Sequence, residues 1–429
     1  MTSTSLNALR DREVTGATSE KARLDSRWAD LERLRSSHPM MDAVIEEQRG
    51  RRIRVGDQWL SDFASCNYLG FDLHPEIIAA SEQAVRQWGT HPSWSRLLGS
   101  PRPYLEIEEQ LTELLGAPDT LVLPTITLVH TSVIPVLAGQ GAVLVDAQAH
   151  KTLYDGATIA RGAGASLHRV RANDPCHLEE VLRSLSPEVS KIFCVDGLNS
   201  MTGNAPDLPR YASICRDYDA LLYVDDAHGF GVIGESPSPE HPYGRRGNSI
   251  VKYFGESYDN IVLVAGFSKA YSSLAAFLAL PTSLKNYLKV AAPPYLYSGP
   301  CPTASLATVL AGFKVNQAEG DQIRRSLSDK TSRVLDQISH LGLRTLNTSG
   351  YPVIEIPLSH AEDIDAVGRF LFERGIYVTL AAYPLVPRSQ VGFRVQVTAA
   401  NEDGEIDQLN QVLSELSQRF DLQHASQPA

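Results

Sequence analysis

One pattern recurs through the first two thirds of the chain: a short run of consecutive apolar residues, followed in most cases by a stretch of helical character. The runs are Thr120–Leu123, Ala142–Asp146, Leu167–Val170, Lys191–Asp196, Ala220–Asp225 and Ile261–Ala265. Strands of four to six residues rich in Val, Leu and Ile, separated by helices, predict βαβ units and a mainly parallel sheet covered on both faces. The fold class is therefore α/β. Upstream, residues 1–18 are polar and small and read as a mobile arm. Residues 20–36 form a charged helix with Leu24, Trp28, Leu31 and Leu34 at helical spacing. Ile53, Val55, Trp59 and Leu60 predict a hairpin over Arg52–Phe63. Downstream, a long helix is expected after Pro302. Strands at Val353–Ile356, Tyr377–Ala381 and Phe393–Val397, with helices over 361–374 and 403–418, then make a smaller α+β domain. The expected division is 1–65 for arm, helix and hairpin, 66–300 for the large domain and 301–429 for the small one. The tail Gln423–Ala429 reads as frayed, and the proline-rich 235–242 as a surface insertion.

From Thr120 to Val145 there is no Asp, Glu, Lys or Arg, a length that imitates a membrane span. Pro124, His130, Pro135, Gly139 and Gly141 segment it, so buried strand, helix, strand is the better expectation. Met1–Val14 carries Arg10, Asp11, Arg12 and Glu13 without an apolar core, which argues against a signal peptide. Of the 429 residues 43% are hydrophobic and 21% charged, with a net charge of −11. That balance, without a basic block, argues against a nucleic-acid binder. Five cysteines with no C-x-x-C pair argue against a disulfide framework or a structural zinc, and for a reducing, cytoplasmic compartment.

Several strands end on polar residues (Asp146, Asp196, Asp225, with Ser268 just beyond the last), and ligands in open α/β sheets sit at the carboxyl ends of strands. Lys269 is the only charged side chain between Asn260 and Leu284. A lysine in such surroundings suits imine chemistry, where a neutral amine attacks an aldehyde; the alternative is a lysine snorkelling from a strand end. In Tyr223-Val-Asp225-Asp226-Ala-His228-Gly229 a buried carboxylate suits a protonated pyridine nitrogen, although Asp-Asp also makes a good helix cap. His150 follows a strand at Asp146-Ala-Gln-Ala-His, where an imidazole can lie on an aromatic ring, or simply cap a helix. Asn199-Ser200-Met-Thr-Gly203 puts a hydroxyl at the same sheet edge. Arg394, in the alternating strand Phe393–Thr398, either clamps a carboxylate or faces solvent.

The collinear set Asn67-Tyr-Leu-Gly70, Asp146…His150, Asn199–Gly203, Asp225–Gly229, Ser268-Lys269-Ala270, Tyr297-Ser298 and Arg394…Ala399-Ala400 resembles the α-oxoamine synthases over residues 45 to 420. The resemblance implies a fold-type-I enzyme dependent on pyridoxal 5'-phosphate (PLP), with a seven-stranded-type sheet and homodimeric sites at the subunit interface. It implies condensation of an amino acid with an acyl thioester, carried by CoA or a carrier protein, with loss of CO2. By position it makes Lys269 the cofactor-bearing lysine and proton-transfer base, and Asp225 the pyridine-nitrogen partner. His150 becomes the stacking ring, His228 and Ser200 the ring-oxygen contacts, and Arg394 the carboxylate clamp. No metal is implied. Other PLP reactions on the scaffold, or a non-catalytic partner subunit, remain as alternatives.

This sequence departs from the family at the phosphate end. Thr125-Ile126 replaces a Ser-Gly pair, Gly266 a threonine, Ala275-Ala276 a Gly-Gly, and Gly299 a hydroxyl residue. Thr125, Thr127, Ser268 and Ser298 remain as hydroxyl donors there, and Ile126 is expected to limit the approach of the backbone to phosphate. Near the substrate, Cys66, beside Asn67, replaces an asparagine or tyrosine, and Thr90–Arg96 a glycine-rich segment. These departures predict an altered substrate with PLP retained.

Overall fold

The computed structural model describes residues 28–425. The arm expected over 1–18, the first part of the 20–36 helix and the last four residues lie outside that range. The central element is a seven-stranded sheet built from β4 (Asp119–Leu123), β5 (Ala142–Asp146), β6 (Ser166–Val170), β7 (Lys191–Asp196), β8 (Ala220–Asp225), β9 (Ile261–Gly266) and β10 (Ala276–Leu280). Its spatial order is β4-β10-β9-β8-β7-β5-β6. Only β10 runs against its neighbours; the other pairings are parallel. The six runs read from the sequence are six of these strands. β10 lies in the stretch that holds the Ala-Ala substitution and was not foreseen.

Alternation explains why both faces are covered. Leu222 and Val224 of β8 enter one core cluster, while Tyr223 enters the other. In β5, Ala142 and Leu144 go one way, Val143 and Val145 the other. The charge-free stretch is β4, the helix Ile126–Ala138 and β5. Among the described residues no helix is long and apolar enough to cross a membrane.

A 38-residue helix, Thr303–His340, leads to the C-terminal part, with Leu306, Val309, Phe313, Leu327, Val334 and Ile338 buried along it. There β11 (Val353–Pro357), β13 (Thr379–Ala381) and β14 (Gly392–Gln396) form a three-stranded antiparallel sheet with β14 in the middle. The expected Tyr377–Ala381 strand splits at Val378. Its first part, β12 (Ile376–Tyr377), pairs in parallel with β3 (Gln58–Asp62), beside β2 (Arg52–Val55) and β1 (Ile45–Arg49). The N-terminal hairpin is therefore completed by C-terminal chain. The start of the tail is not frayed: Gln423 Nε2 donates to Leu358 O at 2.8 Å and His424 bridges to Leu343.

Candidate active site

The carboxyl ends of β5, β7, β8 and β9 bring the chemistry together. Asp196 and Asp225 are direct partners in the β7–β8 register, which sets two carboxyls side by side at the sheet edge. Asp225 Oδ2 accepts from His130 Nε2 at 2.9 Å, and Oδ1 from the Ala227 amide at 3.0 Å. His130 Nδ1 in turn meets Tyr223 Oη at 3.1 Å. Burial alone raises the Asp225 pKa, but the His130 and Lys269 charges, with the bonds from His130 and Ala227, outweigh it and hold the carboxyl below its usual range. Asp196 goes the other way: burial and the neighbouring Asp225 charge push it well up. The environment thus separates the two acids and leaves the negative charge on Asp225.

No helix directly follows the Asp225-Asp226 pair in the chain, so neither acid is the local helix cap that the sequence also allows. Asp226 caps the short helix Ile250–Tyr253 through the Ile250 amide at 2.9 Å. Gly197 and Gly229 make room for it, since a Cβ at either would stand 2.6 or 2.0 Å from Asp226 Oδ1.

Lys269 follows β9 in a tight turn and is half-buried. Its Nζ makes no hydrogen bond or ion pair among the described residues, yet its charge acts on Asp225, Asp196, His150 and His228. His228 Nδ1 bonds Tyr68 Oη at 2.8 Å. Burial, then the Lys269, Arg394 and His150 charges, hold His228 well below its ordinary pKa and therefore neutral. His150 caps the helix Lys151–Gly162. Its amide donates to Asp196 Oδ1 at 2.9 Å and its Nδ1 meets Thr152 Oγ1 at 2.8 Å, while the ring stays exposed. Burial lowers its pKa too, with Asp225 opposing.

The loop after β7 reaches the small sheet. Asn199 Oδ1 accepts from the Met201 and Thr202 amides. Gly203, at φ +70°, lies so close that a Cβ would stand 2.4 Å from Val353 O. From β14, Arg394 Nη1 donates to Ser200 O at 2.6 Å. The Gln396 amide turns its oxygen to Arg394 Nη2 at 3.2 Å and its nitrogen to Ala64 O at 2.8 Å. Cys66 Sγ lies against the same amide. Asn67 accepts the Gly70 amide on its carbonyl, in the turn that places Tyr68 against His228.

At the far end of the site, Thr125 Oγ1 accepts the Leu128 amide at 3.3 Å and caps the helix Ile126–Ala138. Thr127 and Ser268 are exposed. Ile126, the first residue of that helix, is half-buried and packs against the core cluster below. A Cβ on Gly266 would meet Ser268 Oγ only at 3.5 Å, which leaves room beside that hydroxyl. A phosphorylated pyridine aldehyde fits this donor set: an anion for the ring nitrogen, an exposed imidazole face, a neutral imidazole, a free amine and a helix N-terminus.

Four polar neighbours of the site, His130, Tyr68, Gln396 and Glu355, have no role assigned to them in the sequence reading. His130 stood in plain view as the one histidine of the charge-free run, and Gln396 as the residue two along the strand from Arg394.

Residues 60–413 match the aminotransferase class I and II family. The 8-amino-7-oxononanoate synthase of Pseudomonas putida is 33% identical over 395 residues, 91% of this chain and 95% of its own. That of Stutzerimonas stutzeri is 31% identical over 375 residues, 87% of this chain and 91% of its own. Serine palmitoyltransferase from S. paucimobilis, solved with PLP and myriocin, shares the fold at TM-score 0.84 and 22% identity, covering 94% of this chain and 99% of that one. The fold and this strand-edge site define a fold-type-I PLP enzyme. The chain belongs to the aminotransferase class I and II family and, within it, to the α-oxoamine synthases. It is a PLP-dependent acyltransferase of that class.

Proposed function

We propose that the protein condenses a small amino acid with an acyl thioester, of CoA or a carrier protein, releasing CO2 and the thiol and leaving an α-amino ketone. The observation that carries this is the convergence of Lys269, Asp225, His150, His228 and Arg394 on one sheet edge, each acting electrostatically on its neighbours. Bound PLP supplies an electron sink for the pair left at the amino acid Cα.

The protein's own groups do the rest. Asp225, kept anionic by His130, would hold the proton of the ring nitrogen. His150 would supply a ring for stacking, and His228 with Ser200 would hold the ring oxygen. The hydroxyls of Thr125, Thr127 and Ser268 and the Ile126 and Thr127 amides hold the phosphate. The Lys269 amine would hold the cofactor by its aldehyde carbon and, once free, would serve as the general base for the Cα proton. Arg394 holds the amino acid carboxylate, beside Cys66 and Asn67. The reading includes a homodimer with sites at the subunit interface, a cytoplasmic location, and the division of the chain at residues 65/66 and 300/301.

The test is a panel of amino acids against acyl-CoAs with released thiol and CO2 both measured. Stoichiometric release dependent on one amino acid supports the reading. Keto-acid formation without thiol would make the protein an aminotransferase, and no turnover by a PLP-loaded protein would leave only a binding role. Arg394→Ala is expected to raise the KM for the amino acid about tenfold or more, as when a charge-assisted pair is lost. An unchanged KM would place the carboxylate elsewhere.

A further inference from the structure

Behind the proposed carboxylate clamp lies a carboxyl that the chemistry above does not use. Glu355 is fully buried, and neither of its carboxyl oxygens has a hydrogen-bond partner among the described residues. It sits directly opposite Arg394 in the β11–β14 register, so the two side chains leave the same face of the sheet as cross-strand neighbours. Arg394 Nη1 is taken by Ser200 O and Nη2 by Gln396, but its Nε is buried and has no partner among the described residues. An unsatisfied acceptor and an unsatisfied donor thus stand side by side, which a purely structural glutamate does not explain, because burying an unpaired carboxyl is costly.

We propose that Glu355 is a positioning residue for Arg394, one that sets by its own ionisation how much of the guanidinium charge is left for the substrate carboxylate. This rests on the reading of Arg394 as the carboxylate site. With Glu355 neutral, Arg394 offers its full charge to the amino acid. With Glu355 ionised, the guanidinium is partly neutralised from behind and drawn towards β11, and the substrate binds more weakly. Burial pushes the Glu355 carboxyl up to about 7, against the opposing charges of Arg394 and Arg344, so the change of state falls near neutral pH.

The surroundings bear on the same point. Arg394 faces Glu355 from β14, and Arg344 comes from the segment after the long helix. The Asn199–Gly203 loop packed over β11 carries no ionisable side chain. On the far side of Arg394, its other register partner Thr379 is uncharged. Glu355 is therefore the acid next to the clamp.

The experiment is the dissociation constant of the amino acid selected by thiol release, followed by cofactor absorbance on the PLP-loaded enzyme from pH 6 to 8.5. Wild type, Glu355→Gln and Arg394→Ala are compared. Ionisation of the substrate amine is common to all and cancels in the ratio. Wild type and Glu355→Gln should bind alike at pH 6, with the divergence setting in near pH 7 and Glu355→Gln about tenfold tighter at pH 8.5. A ratio constant with pH, together with a weakened Arg394→Ala, would overturn the role of Glu355 and leave the carboxylate site standing. Unchanged affinity in Arg394→Ala would overturn both. Glu355→Met, which removes the same titrating group with a side chain of similar length, must reproduce the pH-dependent ratio if Glu355→Gln does not fold.

Discussion

Lys269→Ala is expected to abolish the visible absorbance of lysine-bound PLP and to lower turnover by about a thousandfold or more, while the protein still folds. The fold should survive because the turn that carries Lys269 is held by its backbone: Phe267 N to Ala275 O at 2.8 Å, Ser272 N to Lys269 O at 3.0 Å and Ser273 N to Phe267 O at 2.9 Å. Removing an Nζ that bonds nothing among the described residues strands no partner among them. The chemistry should not survive, because in the proposed function the same amine both holds the cofactor and moves the Cα proton; general base catalysis alone is worth about 10²–10⁴-fold. Absorbance spectra, product formation and a thermal melt of both proteins check it. A colourless wild type after PLP addition, or a coloured Lys269→Ala, would remove Lys269 from the role.

The sheet was legible because its strands are buried on both faces. Such strands announce themselves as continuous apolar runs, and six of the seven were read within a residue or two of their ends. β10 was hidden because Ala276–Leu280 runs on from an already apolar, serine-rich turn, without the polar break that framed the others. The split at Val378 is a tertiary effect: Ile376–Tyr377 is captured by the N-terminal hairpin across more than 300 residues of chain, and nothing local encodes that.

In the site, the sequence showed residue types that are rare in their surroundings, such as Lys269 in an apolar segment and paired acids at a strand end. It did not show who touches whom. Tyr68 reaches His228 from 160 positions away, and His130 reaches Asp225 from 95. Glu355 did carry a signal, as a lone charge in Val-Ile-Glu-Ile-Pro. Its meaning depends on a cross-strand register that period-two alternation cannot supply.

The contact between His130 and Asp225 carries the second large effect. Asp225→Asn keeps the shape of the side chain and removes its charge, so turnover should fall about a hundredfold or more, as when a preorganised charge is withdrawn from a buried site. His130→Leu separates that charge from its support. In the wild type, burial raises the Asp225 pKa and His130 is the largest of the influences that reverse it. Without His130, burial prevails and the carboxyl takes up its proton at a higher pH than before. Below that pH the ring nitrogen loses its anionic partner; above it the partner returns. The acid limb of kcat/KM should therefore move up by at least about one pH unit in His130→Leu, with activity recovering towards the wild-type value on the alkaline side. A loss of the same size at every pH would mean that His130 only fills space beneath the sheet edge, and that Asp225 keeps its charge by other means.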